Sequence, residues 1–250
     1  MSLPEPPHDE FARRIVAEHR GLVAWDKPAG LPSTGRTLTD PACAQARAMA
    51  WAGRMVWAVH QLDRDTSGLL LFATKKSALL RAQQALATRE LQKIYLALVH
   101  GCPSQASLLI DAPLRKRSQQ GRSVVDVHRS GKDAKTRVWR WASSPDGNYS
   151  LIAAELLTGR THQLRAHLQH AGHPLLGETL YNSIPCALHP RQALHALGLF
   201  NHAGHDALPD EPLIAPLADD LVMLAGRLNI ALPADNAQGW ARAYRSMILG

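Results

Sequence analysis

The feature that most constrains the fold of this chain is residues 69–73, where five apolar residues follow one another without interruption. The polar segment 60–68 precedes them and ends in a glycine. A short apolar run that starts at a turn is typical of a buried strand. We therefore expect a central strand at residues 69–73, which would hold the polar side chains of residues 60–68 on a rigid base.

Patterns of both secondary-structure types alternate along the rest of the chain. Strand-like patterns cover residues 22–25, 56–62, 95–99, 136–141 and 150–157. Helix-like patterns cover residues 42–52, 77–91, 161–171, 191–201 and the C-terminus. Ser77 is expected to cap its helix, and Gly172 is expected to end the next one. Because several strands are expected to be antiparallel neighbours and no segment repeats, the pattern predicts an α+β or mixed α/β fold.

Composition excludes several classes of protein. Of 250 residues, 46% are hydrophobic and 20% are charged, which is typical of a globular protein. No stretch reaches the roughly 18 apolar residues of a spanning helix, and the N-terminus lacks the apolar core of a secretory signal. The three widely spaced cysteines predict neither a disulfide framework nor a zinc pair. We therefore expect a cytoplasmic protein whose proline-rich residues 1–14 form a loose arm.

Positive charge is concentrated in one window of the chain. The formal net charge is +7, and residues 113–142 contain nine basic residues against two acidic ones. The basic residues are Arg115, Lys116, Arg117, Arg122, Arg129, Lys132, Lys135, Arg137 and Arg140. A solvated strand face is one interpretation, and contact with the phosphates of a nucleic acid is the other. Trp139 and Trp141 alternate with these basic residues and are expected to pack in the core.

The segment 60–68 contains two candidate catalytic carboxylates, Asp63 and Asp65. A loop that runs into a buried strand is a good position for a reactive group, because the strand fixes the loop. The same residue types also cap backbone amides, so the residue types alone favour a simple turn.

A second polar segment, residues 159–167, is expected to begin a helix. Helical spacing puts His162 and Arg165 on one polar edge, and the planar guanidinium of Arg165 is suited to pair with a carboxylate. An exposed helix face with a surface salt bridge is the alternative. His167 and His170 have the i, i+3 spacing of a ligand pair, but no cysteine or acidic ligand accompanies them, so no metal site is expected.

Six segments of the sequence resemble motifs of one enzyme family. They are DKPAGLPS at 26–33, HQLDRDTSGLLLFAT at 60–74, KIYLALVHG at 93–101, GKDAKT at 131–136, GRTHQLRAHLQHAGHPLLGETLY at 159–181 and RQALHALGLFNHAG at 191–204. In order and in span they resemble the RluA family of RNA pseudouridine synthases. The resemblance implies a single catalytic domain of the pseudouridine synthase type over residues 15–250. Its class would be α+β, with a mixed, largely antiparallel sheet flanked by helices and no separate N-terminal RNA-binding domain.

The resemblance also assigns roles to individual residues. Asp63 matches the family's essential aspartate, Tyr95 matches the tyrosine that lies against the target base, and Arg165 matches the basic residue that pairs with the catalytic carboxylate. Asp65 falls on a variable position. Together with the charge pattern, the resemblance assigns contacts with RNA to His60, Gln61, Arg64, Thr66, Arg160, His162, Arg115, Lys116, Arg117 and Lys132.

One position departs from the family pattern, since Gln61 stands where an arginine is usual. Glutamine is neutral and shorter, so we expect a change in RNA affinity or target choice rather than in the chemistry. The implied reaction isomerises a flipped-out uridine in tRNA or rRNA to pseudouridine, with no cofactor and no metal. The implied partner is RNA, with no membrane and no protein partner, and the chain is expected to be a monomer.

Two other functions remain open from the sequence. A non-catalytic RNA-binding protein of this fold is favoured by Gln61 and opposed by the presence of Asp63, Tyr95 and Arg165. A glycoside hydrolase would use Asp63 and Asp65 as its carboxylate pair. Against the hydrolase, the basic charge does not suit neutral glycans, and no aromatic-rich binding groove is evident.

Overall fold

The computed structural model of the chain describes residues 8–35, 37, 40, 42–119, 122–181, 188–201, 204–233 and 237–249. Its helices are α1 (His8–Arg13), α2 (Ala44–Ala52), α3 (Lys76–Ala87), α4 (Gln163–His170), α5 (Asp219–Arg227) and α6 (Ala237–Leu249). Its strands are β1 (Ile15–His19), β2 (Leu22–Lys27), β3 (Trp57–Ala58), β4 (Ser67–Ala73), β5 (Leu91–His100), β6 (Ser107–Asp111), β7 (Leu114–Gln119), β8 (Arg122–Val127), β9 (Lys135–Ser143), β10 (Tyr149–Leu156), β11 (Leu194–Asn201) and β12 (Leu213–Ile214). The chain divides into two compact units. The first unit is Met1–Gln92 with Ala196–Pro216, and the second is Lys93–His195 with Leu217–Gly250.

The first unit is organised around β4, which lies between β2 and β11 in the sheet. All seven residues of β4 are buried. Burial on both faces of the sheet explains why this strand is continuously apolar rather than alternating. Helix α3 contributes Ala78, Ala82 and Ala85 to the same core cluster as Leu69 and Leu71 of β4. Small residues at this helical spacing let the helix axis approach the sheet closely.

Gly68 fixes the start of β4 at a position where a larger residue does not fit. Its φ is +102°, and a Cβ atom there would collide with the carbonyl oxygen of Ala196 in β11. Glycine is the residue that tolerates both this dihedral and this close backbone approach. The polar loop that ends at Gly68 is therefore anchored at the centre of the sheet of the first unit.

The second unit contains the strand order β5-β10-β9-β6, and every pairing in this order is antiparallel. Strands β7 and β8 form a separate antiparallel hairpin. On β9, Trp139 meets Tyr244 of α6 edge to face at 5.9 Å, and Trp141 meets Trp240 at 5.2 Å. The prediction of core packing is confirmed for Trp139, which is buried, whereas Trp141 is only partly buried although Trp240 of α6 packs against it.

The predicted fold class, α+β with a largely antiparallel sheet flanked by helices, is confirmed. The division into two compact units leaves the prediction of one catalytic domain over residues 15–250 untested. Within the part of the chain described above, no helix is both long enough and apolar enough to cross a membrane.

The helix predicted at residues 191–201 is wrong, because this segment forms strand β11. Seven of its eight residues are buried, so the sequence lacks the alternation that marks a half-buried strand. Gly198 also belongs to this strand, and a Cβ atom there would collide with the carbonyl oxygen of Leu213 in β12. A short, fully buried strand and a buried helix are not distinguished by their hydrophobic pattern.

Two smaller expectations at helix ends also differ from the structure. The predicted loose arm at residues 1–14 is helical from His8 to Arg13, and Phe11 stacks on Trp25 with ring centroids 4.7 Å apart. Residues 1–7 lie outside the described residues. Ser77 does not cap α3, which begins one residue earlier and has Lys75 at its N-cap without a side-chain hydrogen bond.

Candidate active site

The loop that carries Asp63 is held by backbone and side-chain hydrogen bonds on both sides of this residue. Ser33 Oγ accepts a hydrogen bond from the Leu62 N–H and donates one to the Leu62 carbonyl, both at 2.8 Å. The Thr66 N–H donates to the Asp63 carbonyl at 3.1 Å. The half-buried carboxylate of Asp63 therefore stands on a backbone whose position is fixed.

Lys27, the last residue of β2, supplies a further anchor for this loop. Its side chain is fully buried, and Nζ donates to the carbonyls of Pro28, Leu31 and Arg64 at 2.9, 2.8 and 3.0 Å. An ammonium has three N–H donors, so three carbonyls match its donor capacity. Lys27 thus ties the turn after β2 to the residue that follows Asp63.

The other predicted site residues of the first unit line the same loop. Gln61 is exposed and donates from Nε2 to Thr34 Oγ1 at 3.2 Å. Arg64 is exposed and donates from Nε to the Gly30 carbonyl at 2.9 Å. His60 Nε2 accepts from the Leu71 N–H at 3.3 Å, which turns this ring toward β4. Thr66 is buried, and its predicted contact with RNA stays a prediction.

In the second unit, Arg165 of α4 forms a buried, bidentate ion pair with Glu178. Nε and Nη2 donate to the two carboxylate oxygens at 2.7 and 2.8 Å. The side chains are 8% and 1% exposed. Burial alone would raise the pKa of Glu178, but the hydrogen bonds and charge of Arg165, with the N–H groups of Leu180 and Tyr181, outweigh it. The pKa of Glu178 therefore lies below its ordinary value.

Glu178 is a site residue that the sequence interpretation missed. It belongs to the GETLY end of a quoted motif, 13 residues beyond Arg165. That separation exceeds helical spacing, so no pattern in the sequence identifies the pair. The one feature of the sequence that could have identified Glu178 is the motif itself, in which this carboxylate follows Gly177.

Helix α4 begins at a strained residue and is held by a buried amide. His162 is the N-cap, with φ 50° and ψ 22°, in the left-handed region. Gln163 is 2% exposed. Its Oε1 accepts from Thr158 Oγ1 and the Arg160 N–H at 2.7 and 3.0 Å, and its Nε2 donates to the Lys135 carbonyl and Thr136 Oγ1 at 2.9 and 3.0 Å. Gln163, which was not among the predicted site residues, thus fixes the turn before α4 to β9.

His167 of α4 is a structural residue, because both of its ring nitrogens are hydrogen-bonded within the fold. Nε2 lies 2.9 Å from the Ala112 carbonyl and Nδ1 lies 2.9 Å from Thr136 Oγ1. A carbonyl can only accept, so Nε2 carries the proton and Nδ1 accepts from the threonine hydroxyl. Burial lowers the pKa of His167. Across the described ranges, no group of three or more His, Cys, Asp and Glu side chains could hold a metal ion.

Tyr95 and Lys93 lie two residues apart on β5, so they face the same side of the sheet. Tyr95 is buried at 6% exposure. Lys93 Nζ lies 3.7 Å from the position that a Cβ atom at Gly159 would take, and burial lowers the pKa of Lys93. Lys93 is therefore a second residue that was not among the predicted site residues but has the environment of a functional one.

Four of the predicted RNA-binding residues of the second unit line one cavity of about 400 Å³, called here the basic cavity. Its lining residues are Leu114, Arg115, Lys116, Val125, Ser130, Gly131, Lys132, Gly159, Arg160 and Thr161. The lining includes four cationic side chains and no carboxylate. Anionic oxygens are the groups that such a cavity attracts most strongly.

Part of the positive charge near this cavity is neutralised by one carboxylate. Asp126 pairs with Arg115 at 2.9 Å and with Arg117 at 3.1 Å. The hydrogen bond from Arg115 is the main reason why the pKa of Asp126 lies below its ordinary value. Arg117 lines a neighbouring cavity of about 410 Å³ rather than the basic cavity. The predicted RNA-binding set is therefore divided between two surfaces of the hairpin.

Comparisons with known proteins give the following similarities. A profile of the family described as RNA pseudouridylate synthase matches residues 21–170. The ribosomal large subunit pseudouridine synthase C of Haemophilus ducreyi is 35% identical over 226 residues, which cover 88% of this chain and 70% of that protein. The protein of the same name from Yersinia pestis is 39% identical over 169 residues, which cover 67% of this chain and 52% of that protein. The chain thus spans from about half to 70% of the length of the curated relatives it matches.

A similarity of fold extends over most of the chain. The structure of human RNA Pseudouridylate Synthase Domain Containing 4 has a TM-score of 0.73 at 24% identity, and the match covers 90% of this chain and 97% of that chain. At this level of identity, the comparison concerns the fold alone.

Proposed function

Because the chain belongs to the RNA pseudouridylate synthase family, we propose that it converts specific uridines in structured RNA to pseudouridine. Asp63 is the catalytic group of this proposal, and it acts on a uridine that has left its stack. The observation that carries the proposal is the fixed loop around Asp63, where Ser33 and Lys27 hold the backbone on either side. A carboxylate on a preorganised backbone is what stabilisation of a developing positive charge requires.

The reaction is an isomerisation, so its atoms balance within the substrate. The bond from N1 of the base to C1′ of the ribose breaks, the base turns, and a bond from C5 to C1′ forms. C5 loses a proton and N1 gains one, with no change in oxidation state. One ionised carboxylate beside the ribose can stabilise a cation-like intermediate or form a covalent adduct, so one aspartate is sufficient for either route.

Arg165 has the role of keeping the charge of Asp63 in this proposal. A carboxylate from which RNA excludes water gains protons more readily, and a nearby guanidinium opposes that change. Glu178 accepts hydrogen bonds from Nε and Nη2 of Arg165, which fixes the plane of the guanidinium. We assign to the guanidinium, oriented in this way, the role of opposing protonation of Asp63. Tyr95 is assigned to lie against the target base.

Contacts with phosphates must offset the cost of extruding the target base, which is a few kcal/mol and is lowest in loops. Arg115, Lys116, Lys132 and Arg160 in the basic cavity are suited to this task. The names of the bacterial relatives, ribosomal large subunit pseudouridine synthase C, favour RNA of the large ribosomal subunit over tRNA as the substrate. The expectations of a cytoplasmic location and a monomer belong to the same proposal.

Asp63→Asn tests the proposal directly. We expect this variant to bind RNA like the wild type and to lose pseudouridine formation on unmodified large-subunit rRNA by about 10³-fold or more. Asp65→Asn, in the same loop, is the matched control and should remain active. Turnover of Asp63→Asn within tenfold of the wild type would remove Asp63 from the mechanism. Activity on tRNA alone would correct the substrate, and wild-type binding without turnover would favour the non-catalytic alternative.

A further inference from the structure

Tyr181 connects the β7–β8 hairpin to helix α4 through its phenol oxygen. The oxygen accepts a hydrogen bond from the Val125 N–H of β8 at 3.1 Å, and it lies 2.7 Å from Nδ1 of His162 at the start of α4. Strand β8 pairs with β7 along its other edge, so Tyr181 supplies a partner for a backbone group that the hairpin does not satisfy. A buried N–H without a hydrogen-bond partner costs free energy, so the hydrogen bond to Tyr181 stabilises the position of β8 at Val125.

The ring of Tyr181 also contacts Arg165. The guanidinium carbon lies 5.2 Å from the ring centroid, within the range of a cation–π interaction. The Tyr181 N–H and the Leu180 N–H both point at Glu178 Oε1, at 3.4 and 2.8 Å. Tyr181 therefore touches both members of the buried Arg165–Glu178 pair.

The hairpin that Tyr181 holds carries part of the basic cavity. Arg115 and Lys116 come from β7, and Val125 itself lines the cavity. Asp126, next to Val125, is the carboxylate that orients Arg115. A shift of β8 at Val125 would therefore move the side chains that face the cavity.

We propose that Tyr181 is a positioning residue that couples the RNA-binding side chains of the β7–β8 hairpin to Arg165. This inference rests on the proposed function. When RNA occupies the basic cavity, the hairpin is fixed, and the phenol transmits that position to the N-terminus of α4. The phenol oxygen binds the hairpin, and the ring contacts the guanidinium of Arg165, so different substitutions can remove the two contacts.

Two substitutions separate the contacts. Tyr181→Phe removes the hydrogen bonds but keeps the ring beside Arg165, so we expect KM for RNA to rise about fivefold while kcat stays within about twofold. Tyr181→Leu removes the ring as well, and kcat should then fall by about tenfold or more in addition. A residue that served only folding would not give this split between KM and kcat.

The matched control is Tyr149→Phe on β10 of the same unit, whose phenol oxygen has no hydrogen bond to any described residue. This variant should leave KM, kcat and hydrogen exchange unchanged. Hydrogen exchange at the Val125 amide, measured without RNA, should be faster by about fivefold or more in Tyr181→Phe.

The following outcomes decide whether Tyr181 couples the hairpin to Arg165. Faster exchange at Val125 together with the KM change supports the proposal. Wild-type KM in Tyr181→Phe overturns it, and so does a loss of kcat equal to that of Tyr181→Leu. If the wild type itself forms no pseudouridine, the proposed function is wrong. The effect of Tyr181 on the hairpin is then measured as RNA affinity, which must still be lower in Tyr181→Phe than in the wild type.

Discussion

Lys27 Nζ donates a hydrogen bond of 3.0 Å to the carbonyl oxygen of Arg64, the residue that follows Asp63. The donor is fully buried at the end of β2, and the acceptor lies in an otherwise polar loop. A buried ammonium is tolerated because carbonyls accept from its three N–H groups. The position of the Asp63 backbone therefore depends on a cation that lies beneath it and does not reach solvent.

Lys27→Met tests this dependence. Methionine has a similar length, but it leaves three carbonyls without their donor, so we expect a loss of about 2–4 kcal/mol in the free energy of unfolding. Activity should fall more than stability explains, by about tenfold or more at a temperature where the variant is folded. Lys76→Met, an exposed lysine in the same unit, is the control for thermal unfolding and turnover. Wild-type activity in a folded Lys27→Met variant would contradict the prediction.

Glu178→Gln should destabilise the second unit. It breaks the buried ion pair in which Glu178 accepts from Nε and Nη2 of Arg165, at a cost of about 3 kcal/mol near neutral pH. Because the pKa of Glu178 in the folded protein lies below its ordinary 4.5, the pair stabilises fully above that value. This stability is lost as the pH falls through the folded-state pKa.

The difference in the free energy of unfolding between the wild type and Glu178→Gln should accordingly become smaller below about pH 4.5. Urea unfolding over a range of pH measures it, with Glu18→Gln, an exposed glutamate, as the control. If this difference does not change with pH, the charge of Glu178 does not stabilise the folded protein. Arg165→Met would break the same buried pair, so Arg165→Lys is the better probe of activity.

His167→Gln should reduce the dependence of stability on mildly acidic pH. Burial holds the pKa of His167 below its ordinary 6.5, so below that value the unfolded chain takes up a proton more readily than the folded one. Wild-type stability should thus decline as the pH falls from about 6.5, and this decline should be smaller in the variant. Arg129→Gln, at an exposed residue of the same unit, should keep the wild-type slope. Equal slopes in all three proteins would argue against the prediction.

Charge reversal in the basic cavity should weaken RNA binding and its salt dependence. Lys116→Glu with Lys132→Glu removes two candidate phosphate contacts, so the slope of log K against log[salt] should fall by about 1.5. Arg242→Glu with Arg245→Glu on α6 makes the same change in net charge elsewhere in the second unit. Filter binding at several salt concentrations compares the two. If both pairs of substitutions act equally, the effect is one of net charge, and the RNA does not contact the basic cavity.

Much of the local structure follows from the sequence because it depends on local patterns. The apolar run at 69–73 gives β4, and the apolar stripe of residues 161–171 gives α4 with Gly172 beyond its end. The resemblance to a pseudouridine synthase family, which rests on six ordered motifs, is confirmed. Each motif is a contiguous stretch of sequence, so the order of the six motifs along the chain can be read without a structure.

Contacts across long stretches of sequence could not be predicted. The hydrogen bond from Lys27 to the Arg64 carbonyl joins residues 37 apart, and the ion pair of Arg165 with Glu178 joins residues 13 apart. Neither separation is one that a helix or strand imposes. The helix expected at residues 191–201 is wrong for another reason, because a fully buried strand such as β11 has the same hydrophobic pattern as a buried helix. The roles assigned to Asp63 and Tyr95 remain predictions for the experiments above.

The four hydrogen bonds of Gln163 have a consequence for how such a protein can evolve. One buried amide fastens the turn before α4 to β9, while its neighbours Arg160 and Thr161 are open to solvent. The Arg160 side chain makes one hydrogen bond of its own, from Nε to the Asp133 carbonyl at 2.9 Å, and this bond does not involve α4. Substitutions at these exposed positions should therefore change the surface of the turn while Gln163 keeps α4 in place.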